Sequence, residues 1–155
     1  MPTYTVYTPV AALTSNDKRR LATAITRTHN EVTGAQKFFA QVMFVDTPLT
    51  DWFMGGEQVP ARAVFVQGHI RSGRTPELKQ SLLTGLQQAV SSSVGVPRTS
   101  VWVYVIELPP EHMVEYGHVL PKPGGEAEWL AALPTGDRAV IESTGASQSD
   151  VPAAK

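Results

Sequence analysis

Pro2 has a chemical option that its neighbours lack. The initiator methionine is commonly removed ahead of proline, and the nitrogen then left at the chain end is a secondary amine able to take or give a proton. Its ordinary role is to open a strand, where a missing N–H need not be paired, and "TYTVYT" at 3–8 follows it. Downstream, "HIRSGRTPELKQ" places Arg71 and Arg74 just ahead of a helix start at Thr75, Pro76 and Glu77. Two guanidinium forks beside the free N–H groups of a helix N-terminus favour a carboxylate or phosphate. No Gly-rich phosphate loop accompanies them, which favours a small carboxylate. Two exposed arginines on a turn are the alternative.

Three more residues carry chemistry with an equally plain alternative. His29 falls on the apolar stripe of a helix, where it reads as a catalyst or as a hydrogen-bonded core histidine. Tyr104 stands mid-strand among valines, the usual place of a packing tyrosine whose hydroxyl is satisfied. Glu115 lies in "EHMVEYGH" with Glu111, His112 and His118; that set suggests a metal site, but no ligands elsewhere match it, and surface charge is its default.

These residues need a scaffold to bring them together. Periodicity predicts strands at 3–8, 40–45, 62–70 and 101–106. A helix runs from Thr14, whose partner Asp17 makes a capping box, to Gly34, with Leu21, Ala22, Ile25 and Val32 on its apolar face. A second follows Thr75, with Leu82, Leu83, Leu86, Val90 and Val94 on its face. The two copies superimpose: Lys18 and Lys79, Leu21 and Leu82, Ile25 and Leu86, and 41–45 and 102–106 are all 61 residues apart. The fold class is therefore α/β: two tandem βαβ units, 2–46 and 62–107, with parallel pairing inside each. Together they form a four-stranded mixed sheet with both helices on one face. The open face calls for a symmetric oligomer. Residues 108–142 read as an irregular extension with short helices at 126–134 and 136–143, completing one domain over 1–142; 143–155 reads as a disordered polar tail.

A duplication also marks where the halves stop matching. At the same offset Pro2 faces Ala63, His29 faces Val90, Arg71 faces Val10, Arg74 faces Leu13 and Tyr104 faces Met43. In each pair one half carries chemistry and the other a small or apolar residue.

Composition narrows the function classes. Thirteen Lys and Arg against fourteen Asp and Glu, scattered along the chain, give no basic surface for nucleic acid or anionic lipid. The absence of cysteine excludes thiol nucleophiles and disulfides. The longest apolar run, "VWVYVI", is too short to span a bilayer, and a cytoplasmic location is expected.

An amino-terminal proline opening two βαβ units resembles the tautomerase superfamily. The length, with "THNEVTG", "IRSGRT", "VWVY" and "MVEYG" in order from Pro2 to about Leu133, resembles the cis-3-chloroacrylic acid dehalogenase family. That resemblance implies a homotrimer using no metal or organic cofactor, with Pro2 as the catalytic amine and Arg71 and Arg74 gripping the substrate carboxylate. It further implies that His29 assists there, that Tyr104 and Glu115 position or activate water, and that Tyr104 comes from a neighbouring subunit. Ala35 and Phe39 depart from the hydroxyl residue and leucine usual in the dehalogenases, which favours keto–enol tautomerisation of phenylpyruvate-like enols with weak cis-3-chloroacrylate dehalogenase or hydratase activity. An efficient dehalogenase and a cytokine-like binding protein on the same scaffold are the alternatives.

Overall fold

Thr14 and Thr75 begin the two long helices as the capping pattern requires. In the computed structural model, which describes residues 2–35 and 40–146, Thr14 Oγ1 accepts from the Asp17 N–H and the Asp17 carboxylate accepts from the Thr14 N–H, closing a capping box. Thr75 Oγ1 likewise accepts from the Leu78 N–H, with Pro76 in the first turn. Gly34 and Gly95 end the helices in the left-handed region. The results are α1 (Ser15–Thr33) and α2 (Pro76–Val94).

Four strands form the central sheet: β1 (Thr3–Pro9), β2 (Gln41–Thr47), β5 (Val64–Arg71) and β6 (Val101–Leu108). Their order is β2-β1-β5-β6, parallel within each half and antiparallel where β1 meets β5. The mixed sheet of two βαβ units is thus as the sequence predicts, with strand bounds differing by one or two residues. Period-2 alternation sorts the side chains. Tyr4, Val6, Val64, Val66 and Ile70 point into a core shared with Leu21, Ile25, Leu82, Leu86 and Val90. Ala24, rather than Ala22, joins the buried stripe of α1, and Leu83 is only half-buried. The helices approach closely at Gly85, where an added Cβ would lie 3.0 Å from Thr28 Cγ2. The opposite sheet face carries Met43, Val45, Tyr104 and Ile106, all exposed.

The repeat reaches further than the sequence reading takes it. Short 3-10 turns occur at Leu49–Asp51 and Pro110–His112. Each leads into a two-stranded hairpin, β3 (Phe53–Met54) with β4 (Glu57–Gln58), and β7 (Val114–Glu115) with β8 (His118–Val119). All of these lie 61 residues apart, as do the ion pairs Lys18–Asp46 and Lys79–Glu107 that tie each helix to its second strand. The segment read as irregular therefore contains the second copy of an ordered hairpin. Gly55 and Gly56, and Tyr116 and Gly117, have positive φ, as a two-residue type I′ turn requires.

The register also corrects the correspondence at the sheet centre. Gln41 and Trp102 are 61 apart, but their partners Thr3 and Phe65 are 62 apart. One residue is lost between β5 and α2, so Pro2 corresponds to Val64 and not Ala63, and Arg71 to Pro9 and not Val10. After β8 come α3 (Glu126–Ala132) and α4 (Thr135–Ala146). The second of these takes in residues 143–146, which the sequence reading assigns to the tail: Ile141 is buried, and the Ser143 and Thr144 hydroxyls donate back to the Val140 carbonyl. Residues 147–155 lie outside the described residues. Among the described residues no helix is long and apolar enough to cross a membrane.

Candidate active site

Pro2 is buried at the entry to β1, where its carbonyl accepts from the Gln41 N–H at 3.0 Å. Pairing with β2 thus fixes the start of the chain at one end of the sheet. His29 enters the same region from the last turns of α1. It is 2% exposed, and its Nδ1 lies 2.7 Å from Tyr4 Oη, which is fully buried on β1. The Tyr4 ring occupies the space above Gly68: a Cβ there would stand 2.5 Å from Tyr4 Cε1. His29 Nε2 is buried without a hydrogen-bond partner among the described residues.

The electrostatics tie these groups together. Burial lowers the His29 pKa to about 3, helped by the positive charges of Arg74, the amino terminus and Arg71, so its imidazole is neutral at ordinary pH. Burial raises the Tyr4 phenol, against a smaller pull from Arg74, so it stays protonated. Glu115, at the last position before the Tyr116–Gly117 turn, is raised above the ordinary carboxyl range by burial, while the amino terminus and Arg71 oppose the rise. The amino terminus and Arg71 thus act on both His29 and Glu115, and Arg74 acts on His29.

The two arginines differ in what they offer. Arg71 is 4% exposed; its Nη1 donates to the Pro121 carbonyl at 2.7 Å and its Nη2 is paired with Glu126 Oε1. The other Glu126 oxygen accepts from the Gly124 N–H. Burial is the largest single influence and would raise the Glu126 carboxyl, but the Arg71 bond and charge together with backbone N–H bonds, Gly124's among them, outweigh it and lower the group from its usual value. Arg74 donates to the Arg71 carbonyl through Nη1 and lines a cleft of about 310 Å³ with Thr33, Gly34, Ala35, Leu78 and Glu126. Ala35 is pinned there by bonds to Asn30 and Thr33. Phe39 lies outside the described residues.

Glu115 owes its place to a cluster that the sequence reading passes over. Met113 and Leu120 bury the base of its hairpin against Leu108, Tyr116 and Trp129. Trp129 Nε1 donates to the Val119 carbonyl at 2.9 Å, and His118 Nε2 is 2.9 Å from Asp137 on α4. Among the described residues no three His, Asp or Glu side chains lie together as metal ligands. Tyr104 stands apart from all of these. It is 60% exposed on the open sheet face, its ring edge-on to Phe65 at 4.9 Å.

Two kinds of residue were missed by spacing alone. Spacing gives Tyr4 only a place in a strand, although its position opposite Gly68 is the signal of a ring needing room. Glu126 was read only as the start of a short helix; nothing in the sequence links it to Arg71, 55 positions away.

A family model described as putative oxalocrotonate tautomerase enzyme matches residues 1–132. Over 46 residues the chain is 41% identical to 2-hydroxymuconate tautomerase of Stutzerimonas stutzeri, a stretch covering 30% of this chain and 73% of that protein. The crystal structure of N1, a member of the cis-3-chloroacrylic acid dehalogenase family, is 33% identical with a TM-score of 0.88, covering 91% of this chain and 99% of that one. A fused 4-OT wild-type asymmetric trimer shares the fold at a TM-score of 0.70 and 21% identity, over 76% of this chain and 94% of its own.

Proposed function

The chain belongs to the family of putative oxalocrotonate tautomerase enzymes, and from that premise we propose that it is a cofactor-independent enzyme using the Pro2 amine as acid or base on small unsaturated or 2-oxo carboxylates. The observation that carries the reading is convergence: the buried His29 feels Arg74, the amino terminus and Arg71, and the raised Glu115 feels the amino terminus and Arg71. Arg74 and His29 would hold the substrate carboxylate, with Arg71 behind them. The neutral Pro2 amine would move a proton between oxygen and carbon of an enol, giving keto–enol tautomerisation. The enol of phenylpyruvate is the test substrate.

A second chemistry uses the same groups and is favoured by the likeness to N1. Glu115, lifted toward working pH by burial, would take a proton from water as its oxygen bonds to C3 of cis-3-chloroacrylate. Protonated Pro2 would deliver a proton to C2, and the chlorohydrin would collapse to malonate semialdehyde, chloride and a proton. Tyr104 would assist from a neighbouring subunit, the open sheet faces meeting in a homotrimer. Without the hydroxyl residue at position 35, the attacking water is less well held, so tautomerisation is placed first and dehalogenation second.

The experiment is Pro2→Ala, with intact mass verifying that Met1 is removed from the wild-type protein. Turnover of the phenylpyruvate enol and chloride release from cis-3-chloroacrylate should both fall by about a hundredfold or more. Undiminished rates overturn the reading, and the ratio of the two wild-type activities under one set of conditions ranks them.

A further inference from the structure

We propose that Tyr4 is a positioning residue that fixes His29 as the Nε2–H tautomer, so that a neutral imidazole presents an N–H donor to the substrate carboxylate. The carboxylate-binding half rests on the function proposed above; the tautomer half rests on geometry. Tyr4 Oη and His29 Nδ1 are 2.7 Å apart, both side chains are buried, and neither has another hydrogen-bond partner among the described residues.

Two arrangements of the proton are possible, and hydrogen-bond accounting separates them. If Nδ1–H donated to Tyr4, the phenol proton would be a buried donor with no acceptor, and Nε2 a buried acceptor with no donor. If Tyr4 donates to Nδ1, the phenol is satisfied and one group remains, an Nε2–H. A buried polar group left unpaired is costly, so the arrangement with one such group wins over that with two. Neutrality of both partners is supported by the lowering of His29 and the raising of Tyr4 through burial.

The remaining group has a use. Arg74 and Arg71 act on His29 with positive charge, and a carboxylate drawn to them meets a donor at Nε2 where the other tautomer would offer a lone pair. Gly68 then has a reason to lack a side chain: the Tyr4 ring fills the space its Cβ would need, which sets the hydroxyl against His29.

The test is ring-nitrogen NMR of the full chain carrying isotope-labelled histidine, with His29 signals assigned by their loss in His29→Gln. The expected wild-type spectrum has a protonated Nε2 and a bare Nδ1. Tyr4→Phe should move His29 toward the Nδ1–H form, and phenylacetate, an unreactive carboxylate, should shift the wild-type Nε2–H signal with about tenfold weaker binding in Tyr4→Phe. In turnover of the phenylpyruvate enol, the same variant should raise KM more than it lowers kcat. An Nδ1–H wild type, a tautomer unchanged in Tyr4→Phe, or an Nε2–H signal indifferent to phenylacetate each overturns the proposal. The NMR result does not depend on turnover: an inactive protein with the expected spectrum removes the proposed function alone, and an active one with Nδ1–H removes this inference alone.

Discussion

Glu126 holds the guanidinium of Arg71, a residue with almost no exposed surface, while the Pro121 carbonyl takes the other arm of the fork. A carboxylate of the chain thus occupies the place that a substrate carboxylate would need on Arg71, and Arg74 is the guanidinium that faces the cleft. The same pair staples the exit of the hairpin that carries Glu115. Glu126→Gln keeps the shape and removes the charge. It should lower stability by about 1–3 kcal/mol, because Arg71 remains buried and loses an ionic acceptor. The melting temperature should fall by about 2–4 °C for each kcal/mol. KM for a carboxylate substrate should fall, since Arg71 no longer has an internal competitor; an unchanged KM and melting temperature would make the pair incidental.

His29 makes stability depend on pH in a defined direction. Its pKa of about 3 in the fold lies below the ordinary 6.5, so between those values the unfolded chain binds more protons and stability falls as pH falls. The slope approaches about 1.4 kcal/mol per pH unit below 6.5. Glu115 works the other way above the ordinary carboxyl range, since its raised pKa favours the fold when protonated. Comparing denaturant unfolding of wild type and His29→Gln from pH 6.5 to 4.5 isolates the histidine; equal slopes would contradict the assignment.

Gly68→Ala should be destabilising by about 1–3 kcal/mol, through overpacking against the Tyr4 ring 2.5 Å from the new Cβ. Tyr4→Ala in the same chain removes the clash, so a double-mutant cycle should show a favourable coupling between the two changes. Additive losses by thermal unfolding would mean the ring moves aside freely.

Met43→Asp places a charge on the open sheet face, beside Val45 and across the sheet from Tyr104 and Ile106. Size-exclusion chromatography should show the proposed trimer lost, and turnover should be lost with it, because Tyr104 is then withheld from its neighbour's site. Tyr104→Phe should instead keep the trimer and lower turnover. An active Met43→Asp monomer would place the whole site in one chain.

The order of strands, the two capped helices and their 61-residue spacing were legible because each follows from local pattern: Thr14 with Asp17, Pro76 behind Thr75, and leucines three and four apart. The hairpins were written as plainly, in Gly55–Gly56 and Tyr116–Gly117 between Pro48 and Pro60, and Pro109 and Pro121. They were passed over because two-residue strands carry no periodicity. The single-residue slip at β1 and β5 was invisible, since either register keeps apolar residues in both strands and only pairing with β2 and β6 decides it. The Arg71–Glu126 contact could not be read at all, because it depends on how the chain between partners 55 positions apart folds back.

Val64 stands where the pseudo-twofold relation would carry Pro2, in the middle of a continuous polypeptide. Its nitrogen is an amide, bonded on one side to Ala63 and almost wholly shielded from water, and an amide does not titrate. Joining two halves end to end therefore leaves one titratable chain start where two separate half-length chains would have two. At the second location the buried Val90 stands in place of a histidine and the exposed Met54 in place of a glutamate. On the proposed Pro2 mechanism, the number of working centres in an assembly equals the number of chains, and inserting further arginines or acids around Val64 would not add one.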